Sequence, residues 1–204
     1  MSLRLKETND SEANNLAMPL PQNLSPIREA FFVACVCGMQ FSTQANLGQT
    51  VIDPTTIGAT FGVENSPGDL SWFTAGFSLT VGTFILIAGR MGDLYGYKLI
   101  FVSAYITLSI ASLLAGFAAF SKSQVFFDIC RALQGLGAAL GMPNAVGLFG
   151  HYFPNGKKKT FYLALFGAVA PLGFYVGSLF SGLFIQLVWW PWAFWVSGII
   201  YAIT

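Results

Sequence analysis

Five apolar stretches, at about residues 30–52, 70–88, 99–120, 125–149 and 161–187, follow one another with only short polar breaks between them. The hydrocarbon core of a bilayer is about 30 Å thick and an α-helix rises about 1.5 Å per residue, so each stretch is long enough to cross as a helix. No water reaches the backbone inside lipid, which leaves helices and closed barrels as the structures able to span it. These runs are long and continuous, so the expected fold class is an all-α polytopic membrane protein. Charge agrees: 9% of residues are charged, 54% are hydrophobic and 20 are Phe, where a soluble domain carries about 25% charge. A sixth stretch starts near Trp192 and reaches Thr204 after 13 residues. It is too short to cross alone. The chain therefore reads as the N-terminal part of a larger protein, or else as a truncated membrane fragment.

Residues 1–28 are polar and mixed in charge, with Ser11, Asn14, Asn15, Pro19, Pro21 and Pro26. Such a segment buries too little apolar surface to order itself, and it lacks the basic start and short apolar core of a cleaved signal peptide. The expected organisation is a disordered cytoplasmic tail, 1–28, followed by a transmembrane region, 29–204. Basic residues collect on the cytoplasmic side of membrane proteins. With the tail inside, Arg4, Lys6, Arg28, Arg90, Lys98, Lys157, Lys158 and Lys159 are all inside, only Lys122 is outside, and Arg131 lies within a span. The outer segment 53–69 then carries Asp53, Glu64 and Asp69 and no base. Basic residues scattered between spans form no stripe for a nucleic acid, and none is expected as a partner.

Charge inside a span is costly, roughly 3 kcal/mol or more at the bilayer centre, so Arg131 in the fourth span demands a reason. Asp128 and Gln134 lie three residues to either side, on the same helical face. Arg131 either snorkels outward and pairs with Asp128, or lines a central path and acts on protons or substrate there. The first span is unusually polar, with Gln40, Ser42, Thr43, Gln44, Asn46, Gln49 and Thr50. Its amides either bind other helices or line a hydrogen-bonding cavity for a small polar solute. Gly137-x-x-x-Gly141 and Gly173-x-x-x-Gly177-x-x-x-Ser181 offer the small-residue faces through which helices in lipid pack closely. Pro171, with Gly167, Gly173 and Gly177 around it, predicts a bend in the fifth span. Cys35, Cys37 and Cys130 sit in apolar context without a neighbouring His, and read as small buried side chains with no metal. His151 reads as a boundary residue, and Trp189, Trp190, Trp192 and Trp195 as interfacial anchors. No nucleophile, base and metal constellation occurs, so an enzyme is not expected.

Between the second and third stretches, Gly89, Asp93, Gly96 and Lys98 form a glycine-and-charge turn. They match the loop pattern Gly-x-x-x-Asp-x-x-Gly-x-Lys/Arg, which resembles that of the major facilitator superfamily. The basic residues that the family often carries after the Asp and before the Lys are here Leu94 and Tyr97. Arg131, Gln134, Gly135 and Gly137 resemble the fourth-helix motif of proton-coupled members. Gly167, Pro171, Gly173 and Gly177 resemble its antiporter motif, with Ala170 where a glycine precedes the proline. The amide-rich first span, Ser71-Trp72-Phe73 and Trp190-Pro191-Trp192-Ala193-Phe194 are similar to the fourteen-helix drug:proton branch, and among these to fungal aminotriazole-resistance proteins.

The resemblance covers roughly residues 30–204. It implies an incomplete N-terminal six-helix half of the superfamily fold, which rocks against a second half about a midplane site. It implies that Asp93 helps hold the halves together at the cytoplasmic side through charge contacts and a helix end, that Gly89 and Gly96 let the loop turn, and that Lys98 supplies a charge. Arg131 would take part in proton transfer, with Asp128, Gln134, Gln44, Asn46 and Gln49 as further proton or substrate candidates. The implied activity is proton-coupled efflux of small polar or toxic solutes such as aminotriazole, borate or ammonium. A facilitator or importer of the same fold is the alternative. A proton gradient replaces any cofactor. The expected partners are the bilayer, a small-molecule substrate, and a missing C-terminal half or second copy. The expected location is the plasma or vacuolar membrane, with the N-terminus cytoplasmic.

Overall fold

The protein was analysed as a computed structural model that describes residues 25–154 and 156–204; most of the expected tail lies outside the described residues. Two compact units divide after Phe32. Of the first, residues 25–32 are described. They form a helical start in which the Glu29 N–H donates to the Ser25 carbonyl at 3.0 Å. The second unit is a helix bundle.

Seven helices follow in order: α1 (Pro26–Val51), α2 (Pro54–Phe61), α3 (Pro67–Tyr95), α4 (Tyr97–Ser121), α5 (Gln124–Tyr152), α6 (Lys157–Leu187) and α7 (Pro191–Ile203). Among the described residues there is no strand. Helices α3, α4, α5 and α6 have both the length and the apolar composition to cross a membrane. The protein is an all-α polytopic membrane protein. Burial is uneven: 56% and 50% of the apolar windows of α4 and α5 are covered by other helices, against 17% and 22% for α3 and α6. Helices α4 and α5 therefore form the middle of the bundle and α3 and α6 lie at its flanks. On α4 the exposed Val102, Ile106, Ile110 and Phe117 share one helical face, and the buried Ala104, Leu108, Ala111 and Ala115 share another.

Helix α5 makes its contacts through missing side chains. A Cβ at Gly135 would strike the Phe77 carbonyl of α3, one at Gly137 would strike Leu108 of α4 at 2.8 Å, and one at Gly141 would strike Met39 of α1. Three glycines thus face three different helices. Helix α6 docks on α1 in the same manner. A Cβ at Gly173 would meet the Phe41 carbonyl at 2.6 Å, and Gly177 abuts Ala45. Ser178 donates to the Gly48 carbonyl at 3.2 Å and Ser181 to the Gln49 carbonyl at 2.8 Å. Lipid supplies no hydrophobic drive between helices, so this close backbone approach and these hydroxyl bonds supply the adhesion.

Two segments differ from the sequence expectation. The outer segment 53–69, in which the sequence showed no helix, contains α2. Asp53 caps that helix, its Oδ1 accepting from the Thr56 N–H at 3.1 Å and the Thr55 hydroxyl at 2.6 Å, and its Oδ2 from the Thr56 hydroxyl at 2.6 Å. Gly62, at φ 74°, closes it in the left-handed conformation. Ile57 drives into a cluster of Phe73, Phe127, Trp190 and Phe194, and the Trp190 indole donates to Thr60 at 2.9 Å. The second difference is at residues 89–98, where the expected polar turn is nearly all helix. Helix α3 continues to Tyr95 and α4 begins at Tyr97, with Gly96 alone between them at φ 93°. One residue with access to positive φ is sufficient to reverse the chain here. Gly89 lies inside α3, where a Cβ would sit 3.5 Å from Pro143.

Candidate functional site

Arg131 is the largest wholly buried side chain of the bundle. Its guanidinium does not turn outward. Nε donates to the Phe73 carbonyl of α3 at 2.8 Å, and Nη1 to Gln134 Oε1 at 2.6 Å. Nη2 donates to the Asn46 carbonyl at 3.0 Å and to the Thr50 hydroxyl at 3.2 Å, both on α1. Its Cζ lies 4.9 Å from the centre of the Phe77 ring, within cation–π range. A planar fork of five N–H groups suits such a task, because it can reach three helices at once.

No ion pair to Arg131 occurs among the described residues. Asp128, expected as the partner in one reading, is half-buried one turn away and its Oδ1 has no hydrogen-bond partner. The cation is held by neutral dipoles and a ring face. Gln134 extends the network, its amide donating to Ser112 of α4 at 2.8 Å.

The amides of α1 divide between the two uses that the sequence left open. Asn46 and Gln49 turn toward α7: Asn46 Nδ2 donates to the Tyr201 hydroxyl at 3.0 Å, and Gln49 Nε2 to Ser197 Oγ at 2.6 Å. Both are interhelical links. Yet Asn46 Oδ1 and Gln49 Oε1, and Gln40 Oε1 a turn or more earlier, are buried acceptors without a donor. Gln44 lies on another face and is partly open, beside Phe41 and Leu47. Arg131, Gln134 and Asn46 therefore form one connected network, Gln49 adjoins it, and Gln44 and Asp128 stand outside it.

The remaining candidates are dispersed. Asp93 is exposed; its Oδ1 accepts from the Tyr97 hydroxyl at 2.6 Å and its Oδ2 lies 3.7 Å from Arg90 Nη1. Lys98 is exposed nearby. On α6, Gly167 and Pro171 face open space while Gly173 and Gly177 pack on α1. Three participants were not singled out from the sequence, whereas Thr50 was named only as one polar residue of the first span. Ser112 and Tyr201 are small or aromatic residues with no local pattern to mark them. Asn144, buried after Pro143, donates to the Ala88 carbonyl of α3 at 3.1 Å. An amide in an apolar span was the available signal for Asn144. Among the described residues no group of His, Cys, Asp and Glu is placed to hold a metal.

Comparison with known proteins agrees with this architecture. The family model described as Major Facilitator Superfamily matches residues 30–204. A low-affinity ammonium transporter of Saccharomyces cerevisiae is 50% identical over 171 residues, 84% of this chain and 33% of its own length. An efflux pump of Aspergillus terreus is 44% identical over 189 residues, 93% of this chain and 36% of its own. The aminotriazole resistance protein of Saccharomyces cerevisiae is 38% identical over 175 residues, 84% of this chain and 32% of its own. The chain spans about a third of the length of these relatives. A match across nearly all of the helical region, with relatives at this level of identity, places the chain in the major facilitator superfamily.

Proposed function

We propose that the chain is the N-terminal part of a transporter that couples efflux of small polar or toxic solutes to an inward flow of protons. The observation that carries this reading is Arg131: wholly buried, charged, and held by Phe73, Asn46, Thr50 and Gln134 without an acid partner. A buried cation without a counter-ion repels a second positive charge and favours a nearby anion, so it acts on any carboxylate or solute that enters beside it. The neutral partners leave its interaction free to change as the site opens and closes. Asp128 is the nearest such carboxylate in sequence. Efflux is supported by the relative so described, and by the glycine and proline content of α6.

A second reading is an importer or facilitator. The ammonium transporter among the relatives favours it, as does the absence of an acid from residues 30–52, the apolar part of α1. In this reading the cytoplasmic side carries the N-terminus as in the first, and the protein sits in the plasma or vacuolar membrane. The experiment is transport by the full-length natural chain in proteoliposomes with an imposed proton gradient. Solute leaving the cytoplasmic-equivalent side only when protons run the other way supports antiport. Gradient-independent equilibration, or movement with the protons, refutes it in favour of the second reading.

A further inference from the structure

Where related loops carry a basic residue just before the Lys, this chain carries Tyr97, and its surroundings are built to seat an aromatic ring. A Cβ at Gly92 of α3 would meet the Tyr97 ring at 2.9 Å, and one at Gly147 of α5 would also strike it. The ring therefore occupies a space that two glycines on two helices leave empty. Asn144 closes the inner side. Its Oδ1 lies where a Gly92 side chain would be, and its Nδ2 holds the α3 backbone at Ala88 and the Leu140 carbonyl of its own helix.

From that seat the Tyr97 hydroxyl donates to Asp93 Oδ1 at 2.6 Å. The competing contact, Arg90 to Asp93 at 3.7 Å, joins side chains that are 72% and 46% exposed. Water and salt screen such an ion pair, and its two flexible partners lose entropy in forming it. The phenol is short, directional and anchored by packing. We infer that Tyr97, seated between Gly92 and Gly147, is the positioning residue that fixes the Asp93 carboxylate for closure of this end of the transporter. The inference rests on the reading of Asp93 as a contact between the two halves. A neutral donor in place of a cation also adds no positive charge beside Asp93 beyond that of Arg90.

The test uses the full-length natural chain with every native cysteine, Cys35, Cys37 and Cys130 among them, replaced by Ala and one reporter cysteine at Ala164, exposed near the start of α6. The rate of maleimide modification reads how often this end opens. Tyr97→Phe keeps the ring in its seat and removes only the donor. It is expected to raise the rate about fivefold, the size of one charge-assisted hydrogen bond discounted for exposure. Arg90→Ala is expected to change it by less than about twofold. The Tyr97→Phe effect should vanish in an Asp93→Ala background, the signature of two residues acting as one unit. The positioning role is overturned by a Tyr97→Phe rate equal to the parent, or by an effect that persists undiminished without Asp93. Coupled transport by the parent with no such coupling between residues 93 and 97 overturns only this inference. Coupling between them in a parent that carries no protons overturns only the transport reading.

Discussion

Replacing Arg131 with Met separates what the buried guanidinium does for the fold from what it does for transport. Four hydrogen bonds from a charged donor are lost, each about 1.5–3 kcal/mol, so the gross loss is roughly 9 kcal/mol. Against this stands the cost of holding an ion away from water, several kcal/mol for a buried group, which Met does not incur. The acceptors are unequal too. The Phe73 and Asn46 carbonyls lie within α3 and α1 and keep helical bonds, whereas Gln134 Oε1 is left buried without a donor at about 1–3 kcal/mol. With the lost bonds and the relieved desolvation taken as offsetting, the orphaned Gln134 acceptor sets a net destabilisation of about 2 kcal/mol, a fall in melting temperature of roughly 5 °C. Proton-driven transport should drop about 100-fold or more, the loss of two interactions of about 1.4 kcal/mol each at the rate-limiting step.

Thermal stability by fluorescence-detected size exclusion, read beside transport in proteoliposomes, tests both halves. Arg131→Lys keeps the charge but has no planar fork to reach α1 and α3 together, so it should fold and still lose transport about tenfold or more. A Met variant that transports at the parental rate would refute the argument. So would a Met variant that never folds beside a Lys variant that transports normally, because the guanidinium would then be structural alone.

Other substitutions test the packing and the caps. Gly177→Leu inserts a side chain against the Ala45 backbone and should destabilise by about 3 kcal/mol or prevent folding, measured by the same thermal assay. Gly96→Ala places a Cβ at φ 93° and should cost about 1–3 kcal/mol, with loss of protection at the α3–α4 junction in hydrogen exchange. Asp53→Ala removes three hydrogen bonds at the start of α2 and should cost about 1 kcal/mol, seen as faster exchange in residues 54–61. The same helix should respond to acid. Burial pushes the Asp53 carboxyl up, but its bonds from Thr55 and Thr56 outweigh that and hold it below the usual carboxylate range. A depressed carboxylate contributes stability that is present above its unfolded pKa and lost as pH falls through the folded value. Protection factors in α2, which remove the intrinsic pH dependence of amide exchange, should therefore fall at pH below the ordinary Asp range and stay flat above it.

The helices were legible from the chain because lipid imposes a simple rule: a run that is apolar throughout must be helical and long. That rule is silent wherever the chain leaves lipid, which is why α2 went unseen. Its eight residues carry their signal in Asp53, Pro54 and Gly62, a cap, a first-turn proline and a stop, and not in an apolar period. The helical run through Gly89 was masked by reading glycine as a turn; in lipid it is as often a place for another helix, here Pro143 on α5. The connection between Arg131 and Gln134 followed from their spacing of three. The rest of the network did not. Asn46, Thr50 and Phe73 lie 85, 81 and 58 positions away, and a lone sequence holds no mark of which helix faces which. Asp128 shared a face with Arg131 by that same spacing, yet the guanidinium found better geometry on α1 and α3.

The distance of 81 residues between Thr50 and Arg131 has a consequence for biosynthesis. At synthesis rates of about 5–20 residues per second, α1 precedes the arrival of α5 by roughly 4–16 s. Throughout that interval Asn46, Gln49 and Thr50 have no Arg131 or α7 to satisfy them, and α1 carries bare amides at the depth of the hydrocarbon. A segment with that burden partitions poorly into lipid. It is best kept beside the translocon, or beside a membrane chaperone with a polar groove, until the fourth crossing helix emerges. Arg131 is equally unwelcome in lipid when it arrives. Each half of the network thus lowers the cost of inserting the other, which favours entry of these helices into the membrane as a set.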